Sequence, residues 1–541
     1  MALAQTGARA FCCSDLELIR TRAQLADWRR GLPPRPLHFV PTMGAMHQGH
    51  QQLIRRAAEP RSSGDPTVIV SVFVNPLQFG RGEDFDRYPR DLDRDGDLAA
   101  EAGAQALFAP SLGEMFPQGE AEITRILPPS SLGDRLCGLS RPGHFEGVAT
   151  IVCRLLALVR PQRLVMGEKD WQQLLILRRV VADLGLNVTL EGCATVRGPD
   201  SLACSSRNRY LSQAEAAAAA ALPQALAQAA LDSRSDPGAA GLVFAVRARL
   251  EAAGLRPDYV ELVRAHNLTP LQRVEGLALL AAAAYCGPSR LIDHVFLMTR
   301  APIVAIDGPA GAGKSTATRA LAHRLGLLYL DTGAMYRALT WWVREQGVDP
   351  ADAAAIAPLL QDLDLRLLGG VDGEQQVLIN GHDVSTAIRS PEVTALVSTV
   401  AAHGCVREAL TSQQRAMGAR GGLVAEGRDI GTAVFPDAEC KVFLTATVAE
   451  RARRRALDLE QRGFSVPPLA ELEAAIAERD RLDSSREVAP LLQAEDAAVV
   501  ITDGLTIDEV IAVLEDHFRA RVPEDAWPGP AAAGEGSDLL G

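Results

Sequence analysis

The sequence is almost without lysine. Its 541 residues include three lysines, Lys169, Lys314 and Lys441, against fifty-two arginines. Where arginine carries nearly all of the positive charge, a surviving lysine is a candidate for a role that needs a compact ammonium group. Lys169 and Lys314 lie in glycine-bearing segments typical of phosphate binding, MGEKD (166–170) and GPAGAGKS (308–315). The sequence therefore predicts two nucleotide sites, whereas Lys441, in the strand-like run CKVFLT, is interpreted as a strand residue with its head group in solvent.

The chain also lacks the features of several protein classes. Its net charge of −12 argues against a nucleic-acid or membrane-surface binder, since such proteins carry a basic footprint. The nine cysteines are scattered without CxxC pairs, which predicts reduced thiols and no cysteine metal site. No uninterrupted apolar run is long enough to span a bilayer, and the N-terminus lacks a signal-peptide pattern. We therefore expect a cytoplasmic protein with small-molecule substrates and neither nucleic acid nor membrane as a partner.

Strand-like segments are repeatedly followed by helical ones, as in α/β proteins with parallel sheets. The 541 residues suffice for three or four structural domains. Strands are expected at 37–44, 67–75 and 163–170, and Lys169 lies at the C-terminal end of the third. Ligands of doubly wound sheets lie outside the carboxyl ends of the strands, so these three ends are expected to face one pocket.

The composition changes at about residue 213. Alanine-rich sequence from Gln213 to Tyr285 is interpreted as the packing helices of a second subdomain. A new sheet is expected to begin in APIVAID (301–307), directly after the strand-like run RLIDHVFLM (290–298). Because almost no linker separates the two, we expect cleavage between Met298 and Pro302 to release two separately active enzymes. The last residues, 521–541, are rich in Pro, Gly, Ala and acid and are predicted to be disordered.

The segment GPAGAGKS has the context that a P-loop requires, with the strand IVAID before it and the helix TATRALAHRLG after it. Glycines let backbone N–H groups turn toward phosphate. Lys314 is expected to neutralise the β- and γ-phosphates of ATP, and the Ser315 hydroxyl to hold Mg²⁺ where the helix starts. The sequence therefore predicts an ATP and Mg²⁺ site in the second half of the chain.

Four further segments follow the P-loop: LLYLDTGAMYR (327–337), INGHDVSTAIRS (379–390), AEGRDIGTAVFP (425–436) and ERDRLDSSREVAP (478–490). Together with the P-loop they closely resemble the cytidylate kinases, which are P-loop nucleoside monophosphate kinases, over residues 301–520. The resemblance implies phosphorylation of CMP or dCMP by ATP. It also implies that ERARRR (450–455) is a lid whose arginines close over the transferring phosphoryl group. A solvated helix face is the alternative for that segment.

The same resemblance implies two sets of kinase residues. ATP is expected, with Lys314 as the catalytic lysine and Mg²⁺ on Ser315, at Gly308, Gly311, Gly313, Lys314, Ser315, Thr316 and Arg454. CMP is expected at Thr332, Arg337, Arg389, Ser398, Arg407, Arg428, Asp429, Asp483 and Arg486. Arginines suit a monophosphate because their forks bind its oxygens bidentately, although a single arginine is more often a solvated surface residue.

The segment PTMGAMHQGH (41–50) places His47 and His50 three residues apart, where a predicted strand gives way to a helix. At this spacing both imidazoles can lie on one helix face near its positive end. This HxGH pattern recurs in nucleotidyl transferases, where two histidines can contact the phosphates of ATP. Histidine pairs at this spacing are about as often metal ligands or core residues, so the pattern alone leaves the role open.

Five further segments join this one: FVNPLQF (73–79), YPRDLDRD (88–95), RPGHFEGV (141–148), GEKDWQQL (167–174) and SSRNRYLS (205–212). Together they resemble the pantothenate synthetases, or pantoate–β-alanine ligases, over about residues 15–297. The resemblance implies a Rossmann-like HxGH nucleotidyltransferase-type domain (15–195), a smaller C-terminal subdomain (196–297), and room for a homodimer formed through the ligase half. The chain is thus predicted as a ligase over 1–300 fused to a kinase over 301–520, followed by the tail.

The ligase resemblance implies that pantoate is activated by ATP as a pantoyl adenylate, which β-alanine then attacks. His50, His47 and Lys169 are the expected catalytic residues. ATP is expected at Met43, Gly44, His47, His50, Gly167, Glu168, Lys169, Asp170, Val196, Cys204, Ser205, Ser206 and Arg207, and pantoate or β-alanine at Asn75, Gln78 and Gln173. Cys204 stands where the family usually has leucine, and the small thiol is expected to loosen the packing behind Ser205.

Three alternatives remain open at this stage. The first half could be a cytidylyltransferase of the same HxGH superfamily, which Gln78, Gln173 and the SSRN motif argue against. The second half could be a dephospho-CoA kinase, which INGHDVS and ERDRLDSSR argue against. The chain could also be a nucleotide-regulated binding protein with inactive sites, and a turnover assay distinguishes that case.

Overall fold

The computed structural model describes residues 16–60, 64–80, 82–369, 375–461, 463, 465–486 and 488–529. They form two compact units. The first contains the described residues up to Thr299 together with Pro523–Pro528, and the second contains those from Arg300 to Val522 together with Gly529.

The first unit is built on a six-stranded sheet in which every neighbouring pair is parallel. Its order is β1-β4-β3-β2-β5-β6. The strands are β1 (Glu17–Ile19), β2 (Leu37–Thr42), β3 (Thr67–Val72), β4 (Ala106–Phe108), β5 (Arg163–Gly167) and β6 (Thr189–Cys193). The three strands expected from the sequence are β3, β2 and β5, which are adjacent, so their carboxyl ends do meet at one edge of the sheet.

Helices cover both faces of this sheet. The helices of the first unit are α1 (Arg22–Arg30), α2 (Gln48–Ala58), α3 (Leu92–Glu101), α4 (Leu112–Met115), α5 (Ser130–Gly133), α6 (Cys137–Ser140), α7 (His144–Val159), α8 (Trp171–Asp183), α9 (Gln213–Ala219), α10 (Ala221–Asp232) and α11 (Ala239–Ala252). Within β2, Phe39 packs into the same core as α7 and α8, while Val40 packs into the core that contains Ile54 of α2. Neighbouring residues of a strand point to opposite faces, so a continuous apolar run fills both layers.

The second subdomain of the first unit is helical only as far as Ala252. It continues as an antiparallel sheet of β7 (Arg256–Arg264), β8 (Leu277–Cys286) and β9 (Ser289–Met298). The prediction of helices up to Tyr285 is therefore wrong for β7 and β8. Strand β8 is buried on both faces, with Leu279 in one core and Leu280 in another. That burial outweighs the helix propensity of its alanines.

The second unit has a five-stranded parallel sheet in the order β11-β15-β10-β16-β17 and a three-stranded antiparallel sheet, β12-β13-β14. The strands are β10 (Ile303–Asp307), β11 (Leu328–Asp331), β12 (Leu365–Gly369), β13 (Gln375–Ile379), β14 (His382–Asp383), β15 (Leu423–Gly427), β16 (Cys440–Thr445) and β17 (Ala498–Ile501). The predicted class, two fused α/β folds with parallel sheets, is confirmed.

The helices of the second unit are α12 (Lys314–Leu325), α13 (Thr332–Glu345), α14 (Ala353–Ile356), α15 (Pro391–Val400), α16 (Gly404–Met417), α17 (Val448–Gln461), α18 (Leu469–Ser484) and α19 (Ile507–Arg521). Lys441 lies on β16 as predicted, but its head group is not in solvent. It donates to the carbonyl of Pro436 at 2.6 Å and to Asp496 at 2.9 Å, and the side chain is only 8% exposed.

The end of the chain departs from the expected disorder. Residues 521–529 have a defined structure: α19 ends at Arg521, Val522 is buried, and Pro523–Pro528 belong to the first unit. The rest of the predicted tail, 530–541, lies outside the described residues. No helix in the described part of the chain is both long and apolar enough to cross a bilayer.

Candidate active sites

Helix α2 begins at an imidazole. His47 is its N-cap, and Nδ1 accepts a hydrogen bond from the backbone N–H of Gly49 at 3.1 Å. The ring lies so close that a Cβ at position 49 would approach it to 2.9 Å, so a larger residue than glycine there would displace the His47 ring. The ring of His50 lies with its centroid 4.1 Å from that of His47. The two imidazoles therefore stand side by side at the positive end of the helix.

Both imidazoles are neutral at neutral pH. Burial, with His50 and Lys169 nearby, lowers the pKa of His47 to about 3. Burial lowers the pKa of His50 to about 4, although Asp170 opposes the change. Within the described part of the chain, His50 Nδ1 is buried without a hydrogen-bond partner. Two neutral imidazoles with unused hydrogen-bonding groups can donate N–H groups to a bound anion without carrying a charge themselves.

The loop between β2 and α2, which contains Met43 and Gly44, is held by a carboxylate of α3. Asp95 is 1% exposed and accepts from the backbone N–H of Ala45 at 2.9 Å and of Met46 at 2.7 Å. This places the start of α2 at the carboxyl edge of the sheet. Asp95 is the last residue of the segment YPRDLDRD, and its role was not predicted from the sequence.

A cavity of about 660 Å³ opens next to the turn after β5. Lys169 and Asp170 line it, with Lys169 Nζ 3.6 Å from Asp170 Oδ1. Burial raises the pKa of Asp170, but Lys169 and His144 outweigh it, so the pKa lies below its ordinary value. Of the other expected residues, the cavity is also lined by Gln173, Ser205 and Arg207. His47 and His50 are not among the lining residues but lie within electrostatic reach of Lys169.

The SSRN loop is fixed by contacts outside itself. The Ser206 hydroxyl lies 3.0 Å from the hydroxyl of Tyr88, and Arg207 donates two hydrogen bonds to Asp84, at 3.1 and 2.9 Å. Cys204 donates its backbone N–H to the carbonyl of Val196 at 2.8 Å. Cys204 also lies against Gly49, so the position that departs from the family's leucine is in contact with the start of α2.

In the second unit, Lys314 starts α12 and is folded back over the P-loop. Its Nζ donates to the carbonyls of Gly308 at 2.7 Å and Pro309 at 2.8 Å. A Cβ at Gly308 would lie 2.0 Å from the carbonyl oxygen of Leu444, so the loop can pass β16 only with glycine there. Burial lowers the pKa of Lys314 to about 7, and the nearby Arg428 adds to the change.

Ser315 faces a buried carboxylate that sequence reasoning did not identify. Its hydroxyl donates to Glu426 Oε1 at 2.6 Å, and the Tyr329 hydroxyl donates to the same atom at 2.7 Å. No described residue hydrogen-bonds Glu426 Oε2, although that atom is buried. Burial raises the pKa of Glu426. This arrangement leaves an unused carboxylate oxygen beside the helix start where Mg²⁺ is expected.

A cluster of arginines lies at the other end of the second-unit site. Asp483 is 2% exposed and accepts from Arg428 at 3.1 Å and also from Arg486. Burial lowers the pKa of Arg479, and the positive charges of Arg428, Arg486 and Arg337 add to the change. Arg479 Nε has no hydrogen-bond partner among the described residues. Three half-buried guanidinium groups around one carboxylate form an arrangement that can bind a dianion.

Comparisons with known proteins agree with this geometry. The family profile described as Pantoate-beta-alanine ligase matches residues 17–296, and that described as Cytidylate kinase matches residues 304–520. Proteins named "Bifunctional pantoate ligase/cytidylate kinase" are similar over nearly the whole chain. The one from Prochlorococcus marinus (strain MIT 9313) is 63% identical, covering 93% of this chain and 99% of its own length. The one from Parasynechococcus marenigrum (strain WH8102) is 62% identical, covering 95% of this chain and 100% of its own.

The chain belongs to the bifunctional pantoate ligase/cytidylate kinase family. The first unit is its ligase unit and the second its kinase unit. A pantothenate synthetase structure from Thermus thermophilus is 44% identical, covers 52% of this chain and 98% of its own length, and has a TM-score of 0.48. The predicted family and both predicted activities are confirmed.

Two ligase residues expected to touch substrate or ATP are instead buried. Asn75 is 1% exposed, and its amide donates to Gln78 at 3.0 Å and to the carbonyl of Gly147 at 3.1 Å. It therefore positions Gln78, which lines a second cavity of about 320 Å³. Glu168 is 1% exposed and points away from the cavity that the neighbouring Lys169 lines. Small polar residues in a motif do not reveal from sequence alone whether they touch the ligand or hold the residue that does.

Arg141 and His144 line both ligase cavities, and sequence reasoning did not assign them. Arg141 makes two hydrogen bonds to Glu83, at 2.8 and 2.6 Å, and His144 Nδ1 lies 2.8 Å from the carbonyl of Gln78. Burial lowers the pKa of His144 to about 4, with Arg141 adding to the change. Both residues belong to the segment RPGHFEGV, whose charged and imidazole side chains are the sequence signal for this part of the site.

In the kinase unit the expected CMP residues fall into two groups. Six form one connected electrostatic network with Arg479: Arg337, Arg407, Arg428, Asp429, Asp483 and Arg486. Thr332 lies beside this network, and its hydroxyl donates a hydrogen bond to the carbonyl of Glu426 at 2.6 Å. Arg389, exposed in the turn Ala387–Arg389, and Ser398, half-buried on α15, make no described contact with this network.

The ATP-side residues of the kinase unit surround the P-loop. Thr316 follows Ser315 on α12 with its side chain exposed, and Gly311 and Gly313 lie within the loop itself. Arg454 donates to the carbonyl of Ala312 at 3.4 Å and to that of Thr502 at 2.8 Å.

The segment ERARRR has one buried arginine and two exposed ones, and its role as a lid stays a prediction. Arg451 is 3% exposed and donates to the carbonyl of Ala310 at 3.2 Å, so it also braces the P-loop. Arg453 and Arg455 are exposed and pair with Glu450 and Asp458 on their own helix, as a solvated face does.

Proposed function

We propose that the ligase unit condenses pantoate with β-alanine through a pantoyl adenylate, and that the kinase unit transfers the γ-phosphoryl group of ATP to CMP or dCMP. The observation that supports the first reaction best is the pair of neutral imidazoles beside Lys169 and the 660 Å³ cavity. The observation that supports the second is the arginine cluster around Asp483, in which Arg479 Nε has no hydrogen-bond partner among the described residues.

In the ligase reaction, a pantoate carboxylate oxygen attacks the α-phosphorus of ATP and the bond to pyrophosphate breaks. His47 and His50 donate N–H groups to phosphate oxygens, and His50 meets the charge that grows on the departing pyrophosphate. Lys169 supplies the fixed positive charge. The amine of β-alanine then attacks the pantoyl carbonyl carbon, AMP leaves and the amine loses a proton. Gln78 and Gln173 offer both donors and acceptors to the hydroxyls and carboxylate of pantoate.

In the kinase reaction, a phosphate oxygen of CMP attacks the γ-phosphorus of ATP and ADP leaves. Such a transition state is loose, and its charge is spread over the equatorial oxygens, so the protein needs mainly to position and to neutralise. Lys314 must exchange its two P-loop carbonyl partners for phosphate oxygens. Arg428, Arg479 and Arg486 hold the CMP phosphate, while Asp483 keeps two of these guanidinium groups in place.

The residues of the kinase unit fit a bound Mg²⁺. The Ser315 hydroxyl and the unpaired Glu426 Oε2 are hard oxygen groups at the start of α12. No set of three or more His, Cys, Asp or Glu side chains among the described residues could hold a metal by itself, so such an ion would share phosphate oxygens of ATP. When bound, it would neutralise negative charge on those oxygens.

One incubation tests both activities. The purified chain is given ATP and Mg²⁺ with pantoate and β-alanine, or with CMP or dCMP, and the nucleotide products are separated. We expect AMP and pyrophosphate from the first mixture and ADP from the second. The same assay with CTP and a phosphorylated alcohol, or with dephospho-CoA, examines the cytidylyltransferase and dephospho-CoA kinase alternatives, and turnover of those substrates in place of the expected ones would reject the assignment.

Two further proposals concern assembly and place. A homodimer through the ligase unit is expected, and sedimentation of the intact chain and of a chain ending at Thr299 distinguishes that interface from one made by the kinase unit. A cytoplasmic location is supported by the free state of every described cysteine and by the supply of ATP that both reactions need. Fractionation of cells that express the chain tests it.

A further inference from the structure

The segment Pro523–Pro528 lies in the ligase unit, although in sequence it follows the whole of the kinase unit. It is a tight turn, in which the carbonyl of Pro523 accepts from the N–H of Ala526 at 3.1 Å and of Trp527 at 3.0 Å. Ala526 packs against the main core of the ligase unit. We call these six residues the C-terminal clasp.

The clasp is bonded to Glu168 through its backbone. The N–H of Glu524 donates to Glu168 Oε1 at 2.9 Å, and the N–H of Asp525 donates to Glu168 Oε2 at 2.8 Å. Burial raises the pKa of Glu168 to about 7, the Asp525 carboxylate adds to the rise, and the two N–H groups oppose it. Without the clasp, the Glu168 carboxylate would lose two charge-assisted hydrogen bonds.

The clasp side chains bind two more parts of the ligase unit. The Glu524 carboxylate pairs with Arg56 near the end of α2 and accepts from the N–H of Ala194 at 3.2 Å. The Asp525 carboxylate accepts from the N–H of Thr195 at 3.0 Å and from its hydroxyl at 2.5 Å. These contacts are polar, directional and made by both acidic side chains, as expected of a specific site.

Two of the three attachment points directly precede residues of the proposed ATP site. Glu168 directly precedes Lys169, and Thr195 directly precedes Val196. The third, Arg56, lies in the last turn of α2, the helix that His47 caps at its other end. We propose that the C-terminal clasp is a positioning element for ATP in the ligase reaction: it holds the 168–170 turn and the 194–196 segment in register so that Lys169 reaches the phosphates. The inference rests on the proposed function of the ligase unit.

Two truncations of the full chain test this inference. One ends at Val522 and lacks the clasp, and the matched control ends at Gly529 and lacks only residues that follow it. We expect the chain ending at Val522 to show a KM for ATP in the ligase reaction raised by about tenfold or more, the effect of losing a few charge-assisted hydrogen bonds. The KM values for pantoate and β-alanine should change less than twofold. Kinase kcat/KM, measured on the same molecules, should also change less than twofold.

A purely structural role would instead lower kcat or the amount of active enzyme, without a selective change in the KM for ATP. Amide hydrogen exchange gives a readout independent of activity: residues 168–170 and 194–196 should exchange faster in the chain ending at Val522 than in the control. If the shorter chain is insoluble, the double variant Glu524→Ala/Asp525→Ala replaces it, with Glu495→Ala, an exposed acid, as its control.

The outcomes separate the two levels of inference. A control chain that makes no pantothenate from ATP, pantoate and β-alanine overturns the proposed function itself. If the control chain is active and the chain without the clasp has the same KM for ATP and the same amide exchange, the proposed role of the clasp is overturned.

Discussion

The two sites of this chain receive the phosphates of ATP and CMP with different chemistry. In the ligase unit the candidate phosphate ligands include His47 and His50, both neutral because burial lowers the pKa of each, with the cations Lys169 and Arg209 nearby. In the kinase unit, Lys314 lies over the P-loop, and three arginines surround Asp483. The ligase site thus combines neutral imidazoles with cations, whereas the candidate phosphate ligands of the kinase site are an ammonium group and guanidinium groups.

The largest effect is expected from removing the ammonium group of Lys314 in the kinase unit. Lys314→Ala should lower CMP phosphorylation at least about a hundredfold, because preorganised charge at the transferring phosphate is lost, and should leave pantothenate formation near that of the unchanged chain. Arg324→Ala, which removes an exposed cation from the same helix, is the control and should change neither rate more than twofold. Kinase turnover of Lys314→Ala within a few-fold of the parent would show that the P-loop is not the phosphate site.

A second test concerns the neutral imidazoles. His50→Ala should slow formation of the pantoyl adenylate by about 10²–10⁴-fold, because His50 meets charge that develops only while pyrophosphate departs. The reaction of preformed pantoyl adenylate with β-alanine is the internal control and should be slowed much less. Rapid-quench single turnovers separate the two steps, and an unchanged first step would remove His50 from the mechanism.

A third test divides the chain at the boundary of the two units. The separated kinase, residues 300–529, should keep its kcat/KM for CMP within about twofold. The separated ligase, residues 1–299, lacks the C-terminal clasp and should need about tenfold more ATP for half-maximal rate. The two halves are therefore expected to differ, and not to be equally independent as the sequence alone predicts. Equal retention of both activities would restore that simpler prediction.

A fourth test uses pH and stability. The unfolded chain protonates the two histidines near pH 6.5, whereas the folded ligase unit keeps them neutral until their pKa values of about 3 and 4. The unfolded state thus binds more protons between these limits, so stability is present above pH 6.5 and is lost as the pH falls. Scanning calorimetry should show that the melting temperature of the ligase unit is lower at pH 5 than at pH 7 by on the order of 5 °C. The transition of the kinase unit is identified by the shift of its melting temperature when CMP is added. His50→Gln should make the dependence shallower, and a dependence as steep as that of the parent would contradict the assignment.

The smallest expected effect is a proton taken up by the kinase. The pKa of Lys314 is lowered to about 7 by burial and by Arg428, so at pH 8 the amine is largely neutral. Phosphate oxygens favour the charged form and raise that pKa, so ATP should bind with uptake of a fraction of a proton and more tightly as the pH falls from 8 to 7. Titration calorimetry in buffers of different ionisation enthalpy measures the uptake, and Lys314→Met should abolish it. Uptake by Lys314→Met equal to the parent's would assign the proton to another group.

Much of both sites could be predicted because their signals are local. The strands that end at Thr42 and Gly167 are mainly apolar runs followed by turn residues, and a P-loop needs glycines at fixed spacings within one turn. These features depend on residues a few positions apart. The local sequence is therefore enough to predict where these strands end and where the P-loop lies.

What could not be predicted depends on contacts between distant residues. Strand β8 is alanine-rich and therefore looks helical in sequence, but β7 and β9 pair with its two edges and two hydrophobic cores bury its two faces. The sequence also does not show that the amide of Asn75 donates to the carbonyl of Gly147, or that Arg479 lies beside Arg428 and Arg486. The segment Pro523–Pro528 has the composition of a disordered tail, and only its partners, more than three hundred residues earlier, give it a structure.

The clasp also determines when the ligase unit can be completed during synthesis. Domains usually fold as they leave the ribosome, N-terminal first. Residues 16–299 emerge early, but the turn that bonds to Glu168 is translated only after the whole kinase unit. A nascent chain therefore carries a ligase unit whose Glu168 carboxylate lacks the two N–H donors of the clasp, because those residues have not yet been translated. Chains that have not yet been translated past residue 528 would then carry a ligase unit that needs more ATP than the finished enzyme, because the clasp is absent.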